Sequence, residues 1–111
     1  MAHLVVQLFG SFRATSTGAP LSGFDSDKVR ALLAYLVVES ERPHRRERLA
    51  GLLWPDFTER SARTNLRRAL SNLRHVIGDQ QADPPFLIIT RQSMQFNQAS
   101  SDHALDVATF I

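Results

Sequence analysis

Residues 58–78 read TERSARTNLRRALSNLRHVIG, with five arginines, no lysine and no acid after Glu59. At about 100° per residue along an α-helix, Ala62, Leu66, Ala69, Leu70, Leu73, Val76 and Ile77 gather in one broad apolar arc. Such a stripe must pack on a core. Opposite it, Arg60, Arg63, Arg67 and Arg74 fall within an arc of roughly 60°. Thr64 and Ser71 extend that face, and Arg68 and His75 lie beyond it. The stretch therefore predicts a helix from about Glu59 to Ile77. Asp56 or Thr58 can cap its start, and Gly78 is placed for a left-handed C-terminal turn.

Like charges four residues apart, such as Arg63 and Arg67, cost a few tenths of a kcal/mol in an isolated helix. Only Glu59, four residues before Arg63, relieves this on the arginine face. A purely solvated helix usually interleaves signs, so this face calls for an anion outside the chain. An α-helix fits the major groove of DNA, where arginine forks onto guanine O6 and N7. The same fork grips phosphate, and Ser or Thr hydroxyls reach bases or phosphates.

The preceding HRRERLAGLLW (44–54) reads as a shorter helix with Leu49, Leu52 and Leu53 inward, poorly capped because no Ser, Thr, Asp or Asn stands before it. Trp54 and Pro55 end it, and Trp54 reads as a core anchor. A short helix, a tight connection and a longer basic helix are the parts of a helix-turn-helix. Upstream, FDSDKVRALLAYLVVES carries Val29, Leu32, Leu33 and Leu36 at helical spacing. Asp25 or Ser26 stands at its start, and Pro43 lies just beyond its end. Downstream, DQQADPP is a loop and FLIITRQSMQF resembles a hairpin. Phe86 to Thr90 forms one strand, Arg91 to Ser93 the tip and Met94 to Phe96 the return. A hairpin at that point is what a wing looks like, with Arg91 at its tip. At the other end, HLVVQLFGSFRAT is strand material broken by Gly10, with Leu4, Val6 and Leu8 on one face. STGAP is a turn, and LSGF offers a further short strand. The chain predicts an α+β fold with an N-terminal antiparallel sheet, three helices and a C-terminal β-hairpin wing.

The 111 residues suit one domain. Net charge is only +2, but nine arginines and three acids lie between Arg42 and His75, a local balance of +6. Biased base composition accounts for arginine over lysine; it does not account for clustering. The asymmetry points to a polyanionic partner for one face. No cysteine is present, which excludes disulfides and thiolate metal sites. The histidines at 3, 44, 75 and 103 show no metal-ligand spacing. No apolar run approaches the ~20 residues of a membrane span, and MAHLVVQLFG lacks the basic region and long apolar stretch of a signal peptide. Cytoplasmic location is the expectation. There is no nucleophile elbow, phosphate-cradling glycine loop or metal cluster, so no enzyme, cofactor or small-molecule ligand is expected.

Taken in order, LFGSF, KVRALLAYL, RRERLAGLLWPD, ARTNLRRALSNLRHVIG and LIITRQSMQFN resemble the DNA-binding domain of SARP-type, AfsR-like bacterial activators. The resemblance covers nearly the whole chain, and LLWPD followed closely by NLRRALSNLR is its most specific part. It implies an OmpR-like winged helix that binds double-stranded promoter DNA and recruits RNA polymerase. The implied recognition helix is about 59–77, with Arg60, Arg63, Thr64, Arg67, Arg68, Ser71 and Arg74 facing DNA. The implied wing is about 86–97, with Arg91 on the backbone or minor groove. The connection Pro55, Asp56, Phe57 and Thr58 matches the segment that meets polymerase. Where the family often caps the second helix with Ser or Thr, this chain has Arg45, which adds a phosphate contact at Arg45 or Arg46. On this reading residues 1–98 are the winged-helix domain. Residues 99–111, ending in DVATFI, are a linker and the start of a truncated helical activation domain. The competing reading is a winged-helix interaction module whose arginines meet an acidic protein.

Overall fold

In the computed structural model, residues 4–7, 13–16, 19–82, 85–97 and 103–105 are described. The long basic segment is a helix, α3 (Glu59–Ile77), with the expected bounds. Its start is fixed by Thr58, whose side chain accepts a hydrogen bond from the Ser61 amide at 3.1 Å. Its end is fixed by Gly78, which takes the left-handed φ of 68° that a side chain would resist. Of the two capping candidates, Thr58 therefore does the work. Thr58→Ala should cost about 1 kcal/mol, read as a lower urea midpoint with an unchanged m-value.

Two further helices cover the apolar side of α3. Helix α1 (Asp27–Val38) buries Val29, Leu32, Leu33, Leu36 and Val37. Ser26 occupies its cap position without a side-chain hydrogen bond. Helix α2 (Arg46–Leu53) buries Leu49, Ala50 and Leu53. Leu52, expected inward, is 54% exposed. It lies about 110° from the centre of the buried arc on a helical wheel, and Ala50 takes the inward place instead. Lys28 Nζ donates to the Leu53 carbonyl at 2.6 Å, which satisfies an otherwise unpaired acceptor at the end of α2. Trp54 is buried, as a core anchor should be. From α3, Ala62, Leu66, Ala69, Leu70, Leu73 and Ile77 complete the core with Phe86, Met94 and Phe96.

A four-stranded sheet holds β1 (Leu4–Gln7), β2 (Arg13–Ser16) and β3 (Ala19–Pro20), each antiparallel to the next. Its third strand is Ala19–Pro20; LSGF, expected to supply one, carries no strand. Leu4 is fully buried, and the side chains of Val6 and Leu8 lie outside the described residues. The fourth strand of this sheet, which we number β7, is His103–Leu105, parallel to β1 with Leu4 opposite His103. The sheet is thus mixed, and residues 103–105 pair with the amino-terminal sheet. DVATFI, from 106 onward, lies outside the described residues.

A second, three-stranded sheet builds the wing. Strands β5 (Leu87–Ile89) and β6 (Ser93–Phe96) form the expected hairpin. Beyond expectation, β4 (His44–Arg45) pairs with β6, matching His44 with Met94 and Arg45 with Ser93. Two residues have no readable period, and their polar character made them look like the first turn of α2. His44 is buried, with Nε2 at 2.6 Å from the Glu39 carbonyl and its ring edge-on to Tyr35. The DQQ of the expected loop forms a 3-10 turn, Asp79–Gln81.

Candidate nucleic-acid interface

Burying one side of α3 leaves its arginine side in solvent. Arg60, Arg63, Arg67, Arg68 and Ser71 are exposed, and Thr64 and Arg74 are half-buried. Among the described residues, no carboxylate lies within ion-pair distance of Arg60, Arg63, Arg67, Arg68 or Arg91. At these positions the surface is open, and its charge is not cancelled by any carboxylate among the described residues. Arg68 sits roughly 100° from the centre of the Arg60, Arg63, Arg67 and Arg74 cluster, at the edge of the face. The Thr64 hydroxyl donates back to the Arg60 carbonyl at 3.1 Å, so its proton is committed to the helix and its oxygen is left to accept.

Arg74 differs from its neighbours. Its Nε donates to Asp79 Oδ2 at 3.2 Å, with 36% of its side chain exposed and Asp79 almost fully buried. The other carboxylate oxygen of Asp79 accepts the Leu87 amide at 3.0 Å. One acid thus joins the end of α3 to the first strand of the wing. No sequence signal marks it, since an aspartate after a helix-ending glycine is ordinary turn composition. Asn72, inside α3, carries no sequence signal either, because its partners lie 47 and 49 residues away. Its side chain accepts from the Asp25 amide at 2.9 Å and donates to the Gly23 carbonyl at 3.0 Å. That bridges α3 to the chain entering α1, where Gly23 holds a φ of 94°.

The wing tip is a closed turn. The Thr90 amide donates to the Ser93 carbonyl at 2.9 Å, and Thr90 Oγ1 accepts from the Ser93 amide at 3.0 Å. Arg91 projects from this turn, exposed. It lines a cleft with Arg45, Arg46, Glu47, Arg63 and Gln92, where the start of α2, the face of α3 and the tip converge. Arg45 forms an ion pair with Glu47 at 3.2 Å, but both side chains are more than half exposed, and such a pair contributes little. Arg46 is half-buried and bonded to the wing. The cleft thus gathers expected contacts from three separate segments beside a single acid.

The connection before α3 is also exposed. Pro55, Asp56, Phe57 and Thr58 all face solvent, with Phe57 at 54%. Phe57 and Trp54 border a shallow groove floored by Ala50, Gly51 and Ala62. Among the described residues, no group of three or more His, Asp or Glu side chains could hold a metal, and no helix is long and apolar enough to cross a membrane.

No family model matches the chain. It is similar to the transcriptional regulatory protein EmbR of Mycobacterium tuberculosis and of Mycobacterium bovis, 28% identical over 104 residues in each case. The aligned part is 94% of this chain but 26% of the relative, so the chain spans about a quarter of its relatives' length. The structure of Mycobacterium tuberculosis EmbR in complex with a low-affinity phosphopeptide superposes with a TM-score of 0.74 at 27% identity. That match covers 93% of this chain and 27% of the other. These relatives are transcriptional regulators by name, and the fold they share with this chain is an α+β winged helix.

Proposed function

We propose that this chain, a SARP-like winged-helix domain by its homology to a transcriptional regulator, binds double-stranded promoter DNA through α3 and the wing. The observation that carries the reading is the run of exposed guanidinium groups at Arg60, Arg63 and Arg67, with no carboxylate among the described residues within ion-pair distance to neutralise them. Helix α3 enters the major groove, with Arg67 at the centre of the face turned to base edges. Arg63, Arg45 and Arg91 converge on a backbone phosphate in the cleft beside the wing. Arg60, Thr64, Arg68 and Ser71 flank that contact. The exposed Pro55–Thr58 connection lies at the start of α3 and offers Phe57 to a protein partner, RNA polymerase being the one the SARP resemblance implies.

The test is selection of genomic fragments by the purified chain, followed by mobility shifts at graded salt. Affinity should fall by about 0.9 log units per log unit of salt for each phosphate gripped. Several contacts would make the dependence steep. If no fragment shifts at low salt, the arginine face belongs to an acidic protein partner instead, and the domain is an interaction module.

A further inference from the structure

We propose that Arg46 is a positioning residue that fixes the wing tip, and through it Arg91, and is not itself a DNA contact. The ladder between β4 and β6 ends at Arg45, because α2 begins at the next residue. Beyond it no β4 residue lies alongside the tip, which is closed on itself by the Thr90–Ser93 bonds. Arg46 supplies the restraints that tie this turn to the body of the domain. Its backbone amide donates to the Gln92 carbonyl at 2.8 Å. Its Nε and Nη2 both donate to the Thr90 carbonyl, at 3.1 and 2.9 Å. Two tip carbonyls, on either side of Arg91, are thereby tied to the first residue of α2. The side chain of Arg91 has no partner of its own among the described residues and lines the cleft with Arg45 and Arg63.

The division of labour follows from the donors. With Nε and Nη2 both on one carbonyl, that edge of the guanidinium is occupied and cannot fork onto a phosphate, so two of the five donors of Arg46 are already committed to the tip. Arg91, held by its backbone and free at its head, retains all of its donors. Order in the tip means that Arg91 meets DNA without first losing backbone freedom, which strengthens binding through preorganisation. Arginine is required for this because its planar fork reaches one acceptor with two donors, where lysine offers a single point charge.

The affinity arm of the test rests on the DNA-binding reading; the dynamics arm does not. Arg46→Met keeps the aliphatic stem and removes the donors. In the free protein, hydrogen exchange at the Thr90 and Ser93 amides should rise roughly fivefold to tenfold, as expected when a hydrogen bond of ordinary net strength is lost. The nitrogen relaxation of the Arg91 amide should report added motion. Amides of Leu70 and Leu73 in α3 should stay protected, which separates a loosened tip from a failed fold. Arg46→Lys should fall between parent and Met variant. On selected DNA, Arg46→Met should weaken binding in the parent but cause no further loss in an Arg91→Ala background. Unchanged exchange at the tip would overturn the proposal. So would additive losses from the Arg46 and Arg91 variants, each lowering the salt slope by its own step, because Arg46 would then grip phosphate directly. If the parent shifts no DNA at all, the DNA-binding reading fails, while the exchange result still decides whether Arg46 orders the wing.

Discussion

Arg67→Ala should weaken binding to selected DNA by roughly 1–3 kcal/mol and flatten the preference among fragments, the magnitude of one lost bidentate base contact. The expectation comes from position. Arg67 lies mid-helix on the exposed side of α3, outside the cleft that Arg91 lines, and no carboxylate among the described residues is within ion-pair distance of it. Arg63 sits one turn earlier, in the cleft with Arg91, where a backbone phosphate is the fitting ligand. Arg63→Ala should therefore weaken binding to all fragments alike and lower the salt slope by about 0.9. Competition titrations against the best and the poorest fragments, at several salt concentrations, distinguish the two. If Arg67→Ala lowers affinity equally on every fragment, it holds a phosphate and the docking of α3 must be rotated.

The contrast between the arginines also shows where sequence reading succeeds. Helix α3 was legible from end to end because three independent signals coincided: a Thr58 cap, an apolar stripe and Gly78 at the stop. Exposure of Arg60, Arg63 and Arg67 followed, since a helix with one face buried must turn the other outward. The roles of Arg46 and Arg74 were not legible. Arg46 is held by Thr90, distant in sequence, and Arg74 by Asp79, whose carboxylate is itself fixed by the wing through Leu87. Composition makes all the arginines equivalent, and only tertiary pairing separates a free guanidinium from one already engaged. Strand β4 escaped for a related reason, because two residues acquire strand character only from the β6 partner that pairs with them. Leu52 escaped because an eight-residue helix allows more than one apolar arc, and packing chose the arc through Ala50.

Asp79 gives the sharpest structural consequence. Asp79→Ala should destabilise the domain by about 2–3 kcal/mol, lowering the melting temperature by roughly 8–20 °C for a chain of this size. The carboxylate is 2% exposed and accepts from both the Leu87 amide and Arg74 Nε. Alanine leaves that amide without its acceptor and removes the charge-assisted bond to Arg74. Asp79→Asn should cost about half as much, because an amide oxygen can still accept from Leu87 while the charge on Arg74 goes unanswered. The two variants should affect DNA in the opposite sense. Measured well below their melting temperatures, both leave Arg74 free beside Arg67 and Ser71 on the α3 face. The folded fraction should then bind selected DNA more tightly, with a salt slope steeper by up to 0.9. Thermal unfolding and salt-dependent mobility shifts on the same samples check both halves. A stable Asp79→Ala domain would mean that the α3–wing joint is held by packing alone. An unchanged slope would mean that Arg74 lies out of reach of the duplex even when released.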